Sequence, residues 1–166
     1  MKNILYLLLA LASDGISAQT TAEEYLNSAV SKFYLDDMKG AIVDYTKAII
    51  IDPSYVEAYR KRGLAKEELK DFSGAIVDYT KVIEIDPNYA PAYRDRAIAK
   101  GKLKDHSGVV EDFTRAIEID PNYATAYFNR GVSKFYLGDM IGACKDARKA
   151  QELGDEASIL IKKACN

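Results

Sequence analysis

Tyr59-Arg-Lys-Arg-Gly63, Gly74-Ala-Ile-Val-Asp-Tyr-Thr-Lys81 and Ile85-Asp-Pro-Asn-Tyr89 follow one another within a single stretch of 34 residues, Val56–Tyr89. The next stretch, Ala90–Tyr123, repeats it at about 20 of 34 positions, too many for a shared compositional bias. Working outward, Gly40, Gly74, Gly108 and Gly142 keep the same step. So do Pro53, Pro87 and Pro121, and Tyr25, Tyr59, Tyr93 and Tyr127. A unit this short cannot bury its own apolar face. Units therefore have to stack, and a stack offers one extended surface in place of a single deep pocket.

Each unit reads as two antiparallel helices. Ser54-Tyr-Val-Glu57 has the form of a capping box, and Thr21-Ala-Glu-Glu24 offers the same device to the first unit. Asn88 and Asn122 are expected to cap the first helices of the third and fourth units. Asp37, Asp71, Asp105 and Asp139 stand three residues before the repeated glycine, where a carboxylate caps a second helix and complements its dipole. Each Asp-Pro pair closes a unit, because the residue before proline is driven out of helical geometry. Small residues recur where the paired helices approach: Gly63, Ala97 and Gly131 in the first helix, and Ala41, Ala75, Val109 and Ala143 in the second. Tyr45, Tyr79 and Phe113 are expected beside them in the core.

These blocks resemble the tetratricopeptide repeat family, and the resemblance covers nearly all of the chain after residue 21. It implies an all-α fold, an α-α superhelical solenoid of four repeats with a C-terminal capping helix. The repeats are 22–55, 56–89, 90–123 and 124–157 within a solenoid spanning 22–157. Glu156 to Cys165 reads as the terminal helix, and residues 158–166 are its end. Two departures stand out: tyrosine replaces the family's usual early tryptophan, and Asp155 stands where the fourth unit should carry proline.

The chain has 166 residues, 48% of them hydrophobic, and a formal net charge of −2. This balance argues against a nucleic-acid partner, which requires a basic stripe to displace counterions. Residues 1–18 do not fit the repeat. Lys2, the apolar run Ile4-Leu-Tyr-Leu-Leu-Leu-Ala-Leu-Ala12 and the small Ala18 describe a secretory signal peptide cleaved after Ala18. The run is far short of the roughly 20 residues that span a bilayer. The mature protein is therefore expected to be periplasmic or secreted, with no stable membrane insertion.

No catalytic constellation is present. His106 is the only histidine, and it falls in the Asp105-His-Ser-Gly108 turn, where it reads as a tolerated turn residue. Neither cysteine has a metal-type spacing, and the isolated glycines form no phosphate-cradling loop. We expect no enzyme activity, no cofactor and no metal. One set of charges departs from the usual faces of the family. Arg62, Arg96 and Arg130 replace leucine, with Lys32, Lys66, Lys100 and Lys134 on the same face. Asp44, Asp78, Asp112 and Asp146 take an ordinarily apolar place in the second helix. Changed together, they are expected to meet as a ladder of ion pairs. Because Ser28 holds the arginine place in the first unit, Asp44 is expected to pair with Arg62 of the next.

The resemblance implies a protein-interaction scaffold whose concave groove holds a peptide or partner helix and is lined by the first helix of each unit. Carried over position by position, the lining is Asn27, Val30, Phe33 and Tyr34 at one end. Arg60, Leu64, Glu67, Arg94, Asp95 and Ile98 follow in the middle, and Phe128, Asn129, Val132, Phe135 and Tyr136 at the other end. Aromatic side chains on a rigid face are natural anchors. Capture of chaperone C-terminal carboxylates, a specialisation of the family, is not expected, since Leu26 and Val30 replace the lysine and asparagine it needs. The alternative is a structural component of an envelope or secreted complex, using edge contacts. Cys144 and Cys165 are the only cysteines. An exported chain with an even count suggests a bridge, which two antiparallel helices would allow. The same ending resembles the close of many bacterial repeat proteins of this type. The other reading is two small buried residues that never meet.

Overall fold

The computed structural model describes residues 21–155, 161 and 163–165. The expected leader, its cleavage point and much of the terminal helix lie outside the described residues. Helix α1 occupies residues 21–34. It is followed by α2 (Met38–Ile51), α3 (Val56–Glu68), α4 (Phe72–Ile85), α5 (Ala90–Lys102), α6 (His106–Ile119), α7 (Ala124–Tyr136) and α8 (Met140–Glu152). Residues 161, 163 and 164 are again helical, and the described residues contain no strand. None of these helices is long and apolar enough to cross a membrane.

The described residues divide into two compact units that part between Asp71 and Phe72. The first holds α1 to α3, with α2 packed on α3; the second holds α4 to α8, each helix packed on the next. Small residues permit the close approach. Ala41 and Gly63 are buried in the first unit; Ala75, Ala97, Val109, Gly131 and Ala143 are buried in the second. Tyr45, Tyr79 and Phe113 fill the cores, as their helical spacing predicted. Burial, with Glu57 and Tyr34 nearby, pushes the Tyr45 phenol up to about 12.

The second helices start as expected. Asp37, Asp105 and Asp139 accept from the amides of Gly40, Gly108 and Gly142 at 2.9, 2.9 and 2.8 Å. A Cβ at any of these glycines would overlap the capping carboxylate. The repeated glycine is there to make room for the cap.

The first helices start differently, and this corrects the expected caps. The N-cap residues of α3, α5 and α7 are Tyr55, Tyr89 and Tyr123, none with a side-chain capping bond. The Asp52 carboxylate takes both the amide and the hydroxyl of Ser54, at 2.9 and 2.6 Å, so no Ser54–Glu57 capping box forms. Asp86 and Asp120 accept likewise from the amides of Asn88 and Asn122. A carboxylate two residues upstream forms an Asx turn with the amide, and the expected capping asparagine lies inside that turn.

A disulfide joins Cys144 of α8 to Cys165, with Cα atoms 5.0 Å apart. Beside it, Ile161 and Ala164 pack against Ala147 and Ala150, covering an apolar face of the last helix pair. The close of the array is thus tied both covalently and by burial.

Candidate partner-binding surface

The first helices carry the sequence-derived groove residues, and each unit brings some of them around an apolar cavity. In the first unit a cavity of about 110 Å³ is lined by Val30, Phe33 and Tyr34 of α1, Tyr45 of α2, and Lys61 and Leu64 of α3. Phe33 meets Tyr34 edge to face with centroids 6.1 Å apart, and Tyr34 stays 81% exposed. In the second unit a cavity of about 310 Å³ opens between α5, α6 and α7. Phe113, Val109 and Ala97 lie deepest, being buried core residues. Ile98, Gly101, Asn129, Val132 and Tyr136 form its walls, with Lys102 and His106 at the rim. Tyr136 is 66% exposed and stacks on His106, with centroids 4.7 Å apart and planes at 16°.

Eight of the expected groove residues therefore converge: Val30, Phe33, Tyr34 and Leu64 in one unit, and Ile98, Asn129, Val132 and Tyr136 in the other. The rest do not line these cavities. Asn27 is exposed elsewhere on α1, and Arg60 and Glu67 are half-buried on α3. Asp95 is a correction. Only 4% exposed, it is held by Arg94 Nε and Nη2 at 2.9 and 2.7 Å and presents no free carboxylate to a groove. Burial opposes the Arg94 charge most, but the bond to Asp95, the charge of Asp95 and the bond to Tyr123 together outweigh it and raise the guanidinium pKa. Phe128 and Phe135 pack against Ala147 and Ala150 of α8, as Ile161 and Ala164 do. Sequence reasoning missed Gly101, Lys102 and His106. Its available signal was Gly101, which stands at the repeat place of Phe33 and Phe135.

Each unit also carries part of the charge ladder. Arg96 donates from Nε and Nη2 to Asp112 at 2.9 and 2.7 Å, and Lys100 lies 3.0 Å from the same carboxylate. Arg130 and Lys134 hold Asp146 in the same way, at 2.8, 2.7 and 2.8 Å. These pairs lie within one repeat. The third guanidinium nitrogen reaches back: Nη1 of Arg62, Arg96 and Arg130 donates to Thr46, Thr80 and Thr114 of the preceding repeat, at 3.0, 3.0 and 3.2 Å. Each threonine hydroxyl passes the bond on to a carbonyl one turn earlier, Ile42, Ile76 or Val110, at 2.7 Å. Each arginine also lies over its own repeat's tyrosine, Tyr59, Tyr93 or Tyr127, 5.4–5.8 Å from the ring centre.

The expected Asp44–Arg62 pair is corrected. Asp44 is bound by Lys32, by Ser28 at 2.7 Å and by Lys47 at 3.2 Å, while Arg62 turns to Thr46. Burial would raise the Asp44 pKa, but the bonds from Lys32, Ser28 and Lys47 outweigh it and hold the carboxyl down at about 2. Among the described residues, no group of three or more His, Cys, Asp or Glu is placed to hold a metal.

The second unit also carries a larger cleft between α7 and α8, about 670 Å³, lined by Tyr127, Arg130, Ile141, Lys145, Arg148 and Lys149 among others. Its two carboxylates are engaged: Asp146 by Arg130 and Lys134, and Glu152 by Lys149 at 3.2 Å.

Residues 56–89 match the family described as "Tetratricopeptide repeat". The crystal structure of a MamA protein is similar in fold, with a TM-score of 0.78 at 23% identity, covering 87% of this chain and 86% of that one. So is the first tetratricopeptide-repeat domain of Spaghetti (RPAP3), solved bound to the HSP90 peptide SRMEEVD: TM-score 0.63, 26% identity, 66% of this chain and 90% of that one. A tetratricopeptide repeat protein from Parabacteroides merdae ATCC 43184 gives 0.79 at 16% identity, over 88% of this chain and 58% of that one. No curated protein matches the sequence. The fold is the α-α superhelical solenoid class, that of protein-interaction scaffolds. Residues 56–89 carry a tetratricopeptide repeat, and the chain folds as tetratricopeptide repeat proteins do.

Proposed function

We propose that the protein is an exported, non-catalytic scaffold that holds an extended peptide or a partner helix against the first-helix face of its repeats. The observation that carries this is the open apolar cavity on α5 and α7, walled by Ile98, Val132 and the exposed Tyr136. The cores behind it are filled, so an unfilled apolar recess on that side is surface left for a partner. Phe128 and Phe135 drop out of the anchor set, and Tyr34, Ile98 and Tyr136 take their place. Export is supported by the disulfide and by the basic-apolar-small pattern of residues 1–18.

The edge-contact alternative is favoured by one observation, the larger α7–α8 cleft with its cations Lys145 and Arg148. A photo-crosslinking side chain placed at Ile98 or at Lys145 in the full chain, expressed in its own cell, separates the two. Adducts at Ile98 and none at Lys145 are expected, with a tenfold or greater loss of the adduct partner in Ile98→Asp pull-downs. Adducts confined to Lys145 would move the function to the α7–α8 cleft.

A further inference from the structure

Positions 33, 67, 101 and 135 are the same place in successive repeats, and they hold Phe33, Glu67, Gly101 and Phe135. In the first unit Phe33 lines a cavity of only about 110 Å³. In the fourth repeat Phe135 packs against Ala147 and Ala150. In the third repeat the side chain is missing, and the cavity there is about 310 Å³. Glycine is among the poorest residues in the body of a helix, and Gly101 lies inside α5. The backbone does not ask for it, because its φ is not in the left-handed region. Packing does not ask for it either. A Cβ would meet only Val109 Cγ2, at 3.7 Å, an ordinary contact. What glycine achieves here is empty volume at the site where two other repeats carry a phenyl ring.

We infer that the Gly101 cavity is the anchor pocket of the scaffold, taking one aromatic side chain of the partner with an acidic residue beside it. This rests on the first-helix face being the partner surface. The aromatic half follows from shape: the guest ring stands where the chain's own Phe33 and Phe135 stand in their repeats. It enters between Val132 and Ile98 and meets the stacked His106–Tyr136 pair. The acidic half follows from charge. The rim offers Lys102, exposed on the last turn of α5, and no carboxylate lines the cavity. The nearest capping acid in sequence, Asp105, is bonded to the Gly108 amide.

The test uses the full chain and three blocked dipeptides: N-acetyl-Phe-Asp amide, N-acetyl-Ala-Asp amide and N-acetyl-Phe-Lys amide. Backbone amide resonances of Gly101, Val132 and Tyr136 are followed during titration. The Phe-Asp probe is expected to shift all three, with at least fivefold weaker affinity for each of the other two. Gly101→Phe should fill the cavity from within, leave the melting temperature equal or higher, and abolish the shifts. Lys102→Glu, a surface change that leaves folding untouched, should remove the preference for Asp over Lys. Equal binding of the Ala-Asp probe, or shifts that survive in a folded Gly101→Phe variant, would overturn the pocket. If Ile98 crosslinks persist in Gly101→Phe at undiminished yield, the groove reading stands and the anchor assignment falls. If Ile98 gives no adducts while the Phe-Asp probe still binds, the pocket stands and the wider groove reading falls.

Discussion

Asp44 in the first unit and Asp112 in the second occupy the same repeat position and are both buried, yet they are neutralised by different means. Asp112 is clamped by Arg96 and Lys100, whose side chains are only 16% and 17% exposed. Asp44 is held by a serine and by Lys32 and Lys47, which are 37% and 47% exposed. The difference turns on position 28, where serine replaces arginine. In the later repeats that arginine also extends its third nitrogen to the threonine of the preceding repeat, as Arg96 does to Thr80. In the first repeat Ser28 and two flexible lysines hold the acid in its place. The arginine version therefore does two jobs, satisfying its own acid and joining two repeats, while the lysine version does one.

The sharpest way to break this contrast is to remove the acids. Asp112→Ala strands two nearly dry cations and should cost about 3–5 kcal/mol in urea unfolding. Asp44→Ala leaves lysines that can swing into water and should cost about 1–2 kcal/mol. Equal losses would mean that the partners' exposure does not matter. Next in size is Arg96→Ala, which deletes the fork to Asp112 and the bond to Thr80. A loss of about 2–3 kcal/mol is expected, and Arg96→Lys should recover less than half, since an ammonium cannot reach both acceptors in that geometry.

Acid sharpens the comparison further. The Asp44 carboxyl sits near 2 when folded, against an ordinary value of 3.8. A lowered folded pKa gives stability that is complete above the unfolded value and is lost as pH falls through the folded one. Between about pH 4 and 2 the protein should therefore lose about 1–2 kcal/mol through this group, a slope that Asp44→Asn should lack. A variant whose acid limb is unchanged would assign the slope to other carboxylates. The smallest effect belongs to Lys47→Ala, within 0–1 kcal/mol and vanishing in molar salt, because an exposed pair is screened.

The helix pairs, the Asp37, Asp105 and Asp139 caps and the Tyr45–Tyr79–Phe113 core were legible in the sequence because each is local and recurs at a fixed step. What recurs must satisfy the same geometry each time. The first-helix caps were misread because Asp52, Asp86 and Asp120 bind the amides of the expected capping residues and draw them into a turn, so that each helix starts one residue later, after Tyr55, Tyr89 or Tyr123. Asp95 looked like a groove residue by position, but its neighbour Arg94 folds onto it and closes it off. Phe128 and Phe135 looked like anchors because repeat alignment does not say which rings will turn onto the neighbouring helix, here onto Ala147 and Ala150. Gly101 and His106 were passed over for the opposite reason: the informative fact is a side chain that is missing, and the volume it leaves exists only in three dimensions.

The bond from arginine back to threonine gives each repeat a direction, like a tile with a tab on one edge and a slot on the other. Residues 90–123 carry both the tab, Arg96, and the slot, Thr114. The first repeat has the slot, Thr46, but Ser28 in place of a tab; the fourth has the tab, Arg130, but Arg148 where the slot should be. An engineer lengthening this protein can therefore duplicate 90–123 in place and expect the seams to match. A duplicate of 22–55 would leave one slot empty, and a duplicate of 124–157 would set one arginine against another. The internal tile is extensible and the outer two are terminators.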